Sequence, residues 1–296
     1  MSRGPEPDDA SLPYKLLRPA RHTVPLVFCS PHSGRDYPAD LIAAARLSPH
    51  DLRKSEDCYV DDLFASVVDL GAPLIAATFP RAYVDVNREP YELDPELFSE
   101  RLPAFANSQS VRVVGGLGTI PRIVADGENI YRRRLTLAEG LDRIDRCYRP
   151  FHAALAALLH ETMARFGAAV LIDCHSMPSA STGSTPGSRP DFVVGDRFGT
   201  SCGPRVTRTV REALQRLGYD VRLNRPYAGG FITEHYGKPA HGLQAIQIEI
   251  NRGLYMNETT LQPTAGFARL GQHLNRLAQD LIAGEAWAGL PRAAAE

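Results

Sequence analysis

The chain has 296 residues, with 33 Lys and Arg against 34 Asp and Glu, and 44% of its residues are hydrophobic. This composition is typical of a soluble globular protein with a large core. A formal net charge of -1 argues against nucleic-acid and anionic-membrane binding, because both need clustered positive charge. A membrane helix requires an uninterrupted apolar run of about 18 residues, and no run in this sequence is that long.

The five cysteines form no CxxC pair, so the sequence predicts neither a disulfide framework nor a thiolate zinc site. The N-terminus is polar and acidic, and it lacks the basic and apolar regions of a signal peptide. We therefore expect a cytoplasmic protein. Nothing in the sequence predicts an oligomeric state.

The chain divides into an arm and a domain. Residues 1–23 are rich in Pro, Gly and acidic residues, and they predict a flexible N-terminal arm with a short strand near residues 14–17. Residues 24–290 are predicted to form a single α/β domain. Residues 90–135 and 177–190 are irregular, and a long irregular stretch inside a compact domain is usually functional.

Strand and helix patterns alternate along the domain. Strands are predicted at residues 24–30, 72–79, 83–89, 168–176, 191–196, 219–224 and 243–251. Helices are predicted at residues 41–45, 48–71, 137–166, 203–217 and 263–283. A kink is predicted at Pro150 in the third of these, and residues 226–237 are predicted to form a loop. This alternation predicts an α/β sandwich whose sheet is mostly parallel, with helices on both faces.

Two histidines, His32 and His175, follow strongly apolar strand patterns. Ligands bind at the carboxyl edge of open α/β sheets, so the pair suggests one shared site. A catalytic zinc commonly takes two histidines and a carboxylate and leaves one position for water. The alternative is that each histidine makes an ordinary hydrogen bond in a loop or in the core.

The carboxylate that would complete such a site has four candidates on the predicted helix after His32, namely Glu56, Asp57, Asp61 and Asp62. Adjacent carboxylates on one helix cannot both point into the same site. A solvated acidic face, favoured by the helix dipole, is the alternative interpretation of this cluster.

Glu249 lies near the end of the strand LQAIQIEIN. Strand alternation places Ala245, Gln247 and Glu249 on one face and three isoleucines on the other. Burying an unpaired carboxylate there raises its pKa, as a general base requires. The alternative is a salt bridge to an arginine.

Two other positions are suited to supporting roles. Asp173 shares a strand face with His175 and is placed either to orient that histidine or to cap a neighbouring loop. Asn87 and Arg88 end a predicted strand, where a guanidinium can hold a substrate carboxylate through two hydrogen bonds. The alternative for Arg88 is a structural pair with Asp85 or Glu89.

Several enzyme classes lack their motifs in this chain. GxGxxG after a strand, GxxxxGK[ST], GxSxG and HExxH are all absent, which argues against dinucleotide, P-loop, serine-hydrolase and zincin chemistry. Cys174 beside His175 leaves a cysteine hydrolase as a minor alternative, because neighbours on a strand point to opposite faces.

From about Leu26 to Glu258 the sequence resembles the N-formylglutamate amidohydrolase family. The blocks that carry the resemblance, in order, are SPHSGRDYP, SEDCYVDDLF, YVDVNREP, GENIYRRRL, CYRPFHAAL, LIDCHSMPS, NRPYAGGFITEHYGKP and GLQAIQIEINRGLYM. The resemblance implies a zinc-carboxypeptidase-like fold, a three-layer sandwich with a mostly parallel mixed sheet between helices. It also implies hydrolysis of N-formyl-L-glutamate to formate and L-glutamate in histidine degradation.

The resemblance also assigns roles to residues. It implies one zinc per chain, held by His32, Asp57 and His175, with Glu56 as the alternative to Asp57. It implies that Glu249 is the general base. The substrate-binding residues that it implies are Asn87, Arg88, Tyr131, Arg132 and His235.

Together these observations predict a zinc-dependent amidohydrolase that cleaves the amide of a small anionic N-acyl amino acid. Two alternatives stay open: a zinc-carboxypeptidase-like peptidase, and a carboxylate-binding module of the same fold without catalytic activity. The complete set of ligand and base blocks favours the enzyme.

Overall fold

A seven-stranded sheet forms the centre of the protein. The computed structural model describes residues 12–124, 127–182, 189–285 and 287–289. The strands of the sheet are β1 (Tyr14–Leu17), β2 (Leu26–Ser30), β3 (Leu74–Ala77), β4 (Ala169–Met177), β5 (Phe192–Gly195), β6 (Val221–Leu223) and β7 (Leu243–Asn251). Two short strands, β8 (Met256–Asn257) and β9 (Gln262–Pro263), pair separately.

The sheet has the strand order β1-β3-β2-β4-β7-β5-β6. The four central strands β3, β2, β4 and β7 are parallel, whereas β1 runs antiparallel to β3 and β5 runs antiparallel to β7. The central strands are buried on both faces, as their continuous apolar runs require. The prediction of a mostly parallel mixed sheet is confirmed.

Helices cover both faces of the sheet. They are α1 (Ala39–Ala44), α2 (Pro49–Leu52), α3 (Val60–Phe64), α4 (Val111–Val114), α5 (Leu137–Arg143), α6 (Arg149–Phe166), α7 (Pro204–Arg216), α8 (Phe231–Tyr236) and α9 (Gly266–Ala283). A π-helical segment, Ile144–Tyr148, joins α5 to α6 just before Pro150, where the sequence predicts a kink. Among the described residues, no helix combines the length and apolarity needed to cross a membrane.

Two hydrophobic cores separate the three layers. One core lies between the sheet and α3, α7 and α9, and the other lies between the sheet and α1, α6 and α8. On β7, Ile246, Ile248 and Ile250 enter the first core and Ala245 enters the second, as strand alternation predicts. The three-layer sandwich is therefore confirmed.

The predicted continuous helix over residues 48–71 is wrong in its middle. Ser48 caps α2 as expected, since its Oγ accepts a hydrogen bond from Asp51 N at 3.1 Å. The chain then leaves the helix at Glu56, and Tyr59 adopts a left-handed backbone with φ 64° before α3 begins. The backbone N–H of Asp57 donates to His32 O at 3.0 Å instead of to a helical carbonyl.

The predicted strand at residues 83–89 is also wrong. The side chains do alternate as predicted, because Val84 and Val86 enter a core while Asp85 and Asn87 line a cavity. However, its backbone bonds to another loop rather than to the sheet, since the Asp85 N–H donates to Thr119 O at 2.8 Å. The segment is an irregular wall of the cavity.

The ends of other elements differ in smaller ways. The predicted loop at 226–237 contains helix α8. Residues 14–17 form the short strand that the sequence predicts, and because this strand pairs with β3 the sheet begins before residue 24. Residues 1–11 of the predicted arm lie outside the described residues.

Gly34 provides a test of packing in the loop after β2. A Cβ atom on Gly34 would overlap the Phe79 carbonyl group, whereas Gly271, inside α9, has no atom within 4 Å of such a Cβ. Gly34→Ala should therefore lower the free energy of unfolding by about 1–3 kcal/mol or more, because backbone must move. Gly271→Ala should raise it by about 0.5–1 kcal/mol through helix propensity.

Urea denaturation of the two variants beside the unchanged protein measures both effects. A neutral effect of Gly34→Ala would contradict the close approach of the His32 loop to the Phe79 carbonyl.

Candidate active site

A cavity of about 510 Å³ opens at the carboxyl ends of β2, β4 and β7. Because these strands are parallel neighbours, the residues at their ends lie together. His32 follows β2, His175 lies near the end of β4, and Glu249 is its register partner on β7. The structure thus brings together the residues that the sequence placed at separate strand ends.

Three buried side chains converge at the base of this cavity, namely His32, Asp57 and His175. One ligand atom from each lies within 4.8 Å of the others. Asp57 Oδ2 is 3.1 Å from His175 Nδ1 and 3.5 Å from His32 Nδ1. A single carboxylate oxygen thus faces both imidazoles, a geometry that suits a shared cation.

The other oxygen of Asp57 is fixed from a different part of the chain. Arg252 Nη2 donates to Asp57 Oδ1 at 3.1 Å, and Ser176 Oγ donates to it at 3.2 Å. Burial alone would raise the pKa of Asp57, but hydrogen bonds and charge from His175 and His32 hold it well below its ordinary value. Asp57 is therefore ionised, and Oδ2 is directed at the histidines.

Each histidine has a second carboxylate behind it. His32 Nε2 lies 2.7 Å from Asp85 Oδ1, and His175 Nε2 lies 3.0 Å from Asp173 Oδ1. Burial by itself would lower the pKa of His175. The neighbouring carboxylates of Asp173 and Asp57 have the larger, opposite effect, so the pKa lies well above its ordinary value.

The hydrogen bond to Asp85 fixes the ring of His32. The ring of His175 is held by a hydrogen bond of 3.1 Å between its Nε2 and Asn87 Nδ2, whereas the carboxylate of Asp173 makes no hydrogen bond within the described part of the protein and acts on His175 through its charge.

The arrangement fits a metal ion on three grounds. His32 Nδ1 is buried and has no hydrogen-bond partner in the described part of the protein. Two imidazoles and a carboxylate are the usual donor set of a catalytic zinc site with an open position. Buried carboxylates are otherwise costly, because an ionised group in a protein interior needs a compensating charge.

Glu56, the alternative ligand, points elsewhere. Arg53 donates to Glu56 Oε2 through Nε at 3.0 Å, and Tyr37 OH donates to the same oxygen at 3.2 Å. Asp61 and Asp62 form ion pairs with Arg35 outside the cavity. Of the four acidic candidates, the structure places only Asp57 beside both histidines among the described residues.

Glu249 is buried beside these three residues. Gln247 Nε2 donates to Glu249 Oε1 at 2.8 Å, and Gln247 Oε1 accepts from Gly230 N at 2.9 Å. The carboxylate is thus oriented by an amide rather than by the salt bridge considered as its alternative. Burial is the main cause that raises the pKa of Glu249 to about 7.

Asn87 and Arg88 both line the cavity. Asn87 Oδ1 accepts from Ile232 N at 2.8 Å, so its amide anchors the start of α8. Arg88 donates to Leu117 O through Nε at 2.8 Å, and its Nη2 lies 3.5 Å from Asp85 Oδ2. Both residues of the predicted clamp therefore line the cavity, and Arg88 is the cationic one.

The other three predicted substrate residues do not line the cavity. Tyr131 is buried in a core, where its OH accepts from Arg143 Nη1 at 2.7 Å. Arg132 donates to Ala45 O at 2.8 Å, and His235 stacks on Phe231. All three residues lie inside blocks that carry the family resemblance, which is the basis for their assignment, but the fold directs their side chains away from the cavity.

Three further arginines on the cavity wall were missed as site residues, namely Arg81, Arg112 and Arg252. Arg81 Nη2 lies 2.7 Å from Asp85 Oδ2 and helps to hold that carboxylate against His32. Only Arg252 lies inside a block that was quoted for the resemblance, but no pattern in the sequence marks it as a partner of Asp57.

Comparison with known proteins assigns this site to a family. The model of the N-formylglutamate amidohydrolase family matches residues 24–256. The chain belongs to this family. The N-formylglutamate deformylase of Pseudomonas putida is 30% identical over 253 residues, which cover 83% of this chain and 86% of that protein. The same enzyme of Pseudomonas aeruginosa is 29% identical over 272 residues, 90% of this chain and 95% of that protein.

A solved structure extends the comparison to the whole fold. The crystal structure of N-formylglutamate amidohydrolase from Ralstonia eutropha shares 39% sequence identity with this chain, with a TM-score of 0.88. The match covers 94% of this chain and 99% of that one. The N-formylglutamate amidohydrolase fold therefore accounts for nearly all of the chain, including every strand that contributes to the site.

The geometry predicts that Asp57 and Glu56 differ sharply in metal binding. Loss of a residue that only hydrogen-bonds a metal ligand typically weakens metal binding by roughly 10–100-fold. Asp57→Asn should weaken zinc binding by more than this, because it removes the negative charge of the oxygen that faces both histidines. Glu56→Gln, the matched control next to it in the chain, should bind zinc like the unchanged protein. Zinc titration with a competing chelator measures both.

Thermal unfolding of the metal-free variants separates a loss of affinity from a loss of fold. If Glu56→Gln weakened zinc binding more than Asp57→Asn did, Glu56 and not Asp57 would be the metal ligand.

Proposed function

We propose that this protein is a zinc-dependent amidohydrolase that hydrolyses N-formyl-L-glutamate to formate and L-glutamate. The observation that carries the proposal is the convergence of His32, Asp57 and His175 beside a buried carboxylate, Glu249, in one cavity. Membership of the N-formylglutamate amidohydrolase family supports the choice of substrate.

His32 Nδ1, Asp57 Oδ2 and His175 Nδ1 are the atoms that would hold zinc. A bound zinc ion supplies Lewis-acid chemistry, in which it polarises a carbonyl oxygen and makes water a better nucleophile. Asp85 keeps the ring of His32 oriented for this task, and Asn87 does the same for His175. Arg252 holds the other oxygen of Asp57, which keeps Oδ2 directed at the histidines.

Glu249 acts as the general base and then as the general acid. Its carboxylate takes a proton from the attacking water, and it returns that proton to the nitrogen of the leaving glutamate. A pKa of about 7 suits both transfers near neutral pH, because proton transfer is most efficient when the two forms are close in free energy. Gln247 holds the carboxylate in position.

Arg88 binds the α-carboxylate of the substrate and thereby places the formyl group near Glu249. Its guanidinium shares Asp85 with Arg81, so its positive charge is incompletely neutralised within the cavity. Fixing the substrate in this way converts the attack into an effectively intramolecular step.

Removal of the metal should abolish hydrolysis. Protein treated with a chelator should release no formate from N-formyl-L-glutamate, and addition of about one equivalent of zinc per chain should restore the activity. The measurement is a formate assay combined with elemental analysis of the protein. Full activity in metal-free protein would contradict the mechanism.

Replacement of the base should separate catalysis from metal binding. Glu249→Gln should lower kcat by roughly 10²–10⁴-fold and leave zinc content unchanged, because the amide is nearly isosteric but cannot accept the proton. Steady-state kinetics and zinc analysis of the same preparation give the two values. An unchanged kcat would remove Glu249 from this role.

A further inference from the structure

The cavity wall carries more positive charge than the α-carboxylate of a substrate needs. Five cationic side chains line it, namely Lys54, Arg81, Arg88, Arg112 and Arg252. Arg252 is committed to Asp57 and Ser176, and Lys54 lies 2.9 Å from Asp51. Arg81, Arg88 and Arg112 remain as the group that can meet an anionic substrate.

These three arginines have too few carboxylates to neutralise them. Arg81 and Arg88 share Asp85, and His32 contacts the same carboxylate. Burial, together with the nearby charges of Arg81 and Arg112, lowers the pKa of Arg88 to about 10. Asp85 and Glu92 offset only part of this effect. Arg88 thus lies near the positive charges of both Arg81 and Arg112, an arrangement that favours a bound anion.

Arg112 is the least committed of the three. Its Nη1 lies 3.9 Å from Glu92 Oε2, which is longer than a hydrogen bond, and its side chain is 37% exposed. Glu92 Oε2 also accepts a hydrogen bond from Glu89 N at 3.2 Å. The guanidinium of Arg112 thus has donors available to a ligand in the cavity.

The loop that carries Arg112 is held firmly against the wall with Arg88. Ser110 caps α4 by accepting from Val113 N at 3.1 Å, and Thr119 N donates to Glu92 O at 2.8 Å. Arg88 itself donates to Leu117 O at 2.8 Å. The backbone that carries Arg112 is therefore fixed relative to Arg88, which limits the cost of ordering the site around a ligand with two separate charges.

Apolar side chains accompany Arg112 on the same wall of the cavity. Leu117, Pro121, Ile123 and Val124 all come from its loop or from the residues directly after it. An apolar surface beside a single guanidinium suits a short methylene chain that ends in an anion. The side chain of glutamate has this form, whereas a neutral side chain offers no negative charge to Arg112.

We propose that Arg112 binds the side-chain carboxylate of the substrate and so selects acidic N-acyl amino acids over neutral ones. This inference rests on the proposed function, since it deepens the choice of substrate at the same site. In this assignment Arg88 and Arg112 divide the two carboxylates between them. Arg112 is then a specificity-determining residue.

The test compares two substrates of nearly equal shape, N-formyl-L-glutamate and N-formyl-L-glutamine. Arg112→Gln should lower kcat/KM for N-formyl-L-glutamate by roughly 10–100-fold, as for the loss of a charged hydrogen bond. It should change kcat/KM for N-formyl-L-glutamine by less than about threefold. Arg112→Lys should retain part of the preference, because it keeps the charge without the planar fork.

A control variant and a binding measurement complete the design. Arg276→Gln removes an equal charge from an exposed pair with Asp280 on α9, and it should leave the substrate preference unchanged. Calorimetry of chelator-treated protein with L-glutamate and L-glutamine reports recognition without turnover. Arg112→Gln should weaken binding of L-glutamate by a similar factor and leave that of L-glutamine unaltered.

Each outcome decides between the claims. An unchanged preference in Arg112→Gln, or an equal loss with both substrates, overturns the role of Arg112 while the proposed function stands. Failure of the zinc-loaded, unchanged protein to hydrolyse either substrate overturns the proposed function and this inference together.

Discussion

The buried carboxylate of Asp57 is the interaction on which the rest of the site depends. One of its oxygens is tied to Arg252 and Ser176, and the other faces His32 and His175. A buried charge needs such partners on every side, because the cost of removing it from water is large. The break before α3 exists to bring this carboxylate into the site, and the hydrogen bond from Asp57 N to His32 O fixes the break.

Charge around the cavity is arranged in two connected halves. One half is acidic and holds the histidines at the strand ends, whereas the other contains the arginines Arg81, Arg88 and Arg112. Asp85 joins them, since it contacts His32 on one side and both Arg81 and Arg88 on the other. A change at Asp85 would therefore disturb His32 and the two arginines together. The near-zero net charge of the whole chain conceals this polarity.

Sequence patterns predict the sheet well because its central strands are long apolar runs with fixed alternation. The bounds of β7 and the face that Glu249 occupies follow from that alternation. His32 and His175 are placed by their positions at the ends of the apolar runs of β2 and β4. The break at Glu56 does not follow, because residues 53–57 contain no Gly or Pro that would mark it. The backbone N–H of Asp57 is instead bonded to His32 O, a contact between distant parts of the chain. Arg252 and Arg112 come from distant parts of the chain, and their roles depend on contacts that no local pattern encodes.

The most direct test of the account is a crystal structure of the zinc-loaded protein, with anomalous scattering recorded at the zinc edge. The account predicts one anomalous peak per chain, in contact with His32 Nδ1, Asp57 Oδ2 and His175 Nδ1, and with Glu249 beside it. A peak coordinated by Glu56 or by a cysteine, or the absence of a peak at this position, would contradict it.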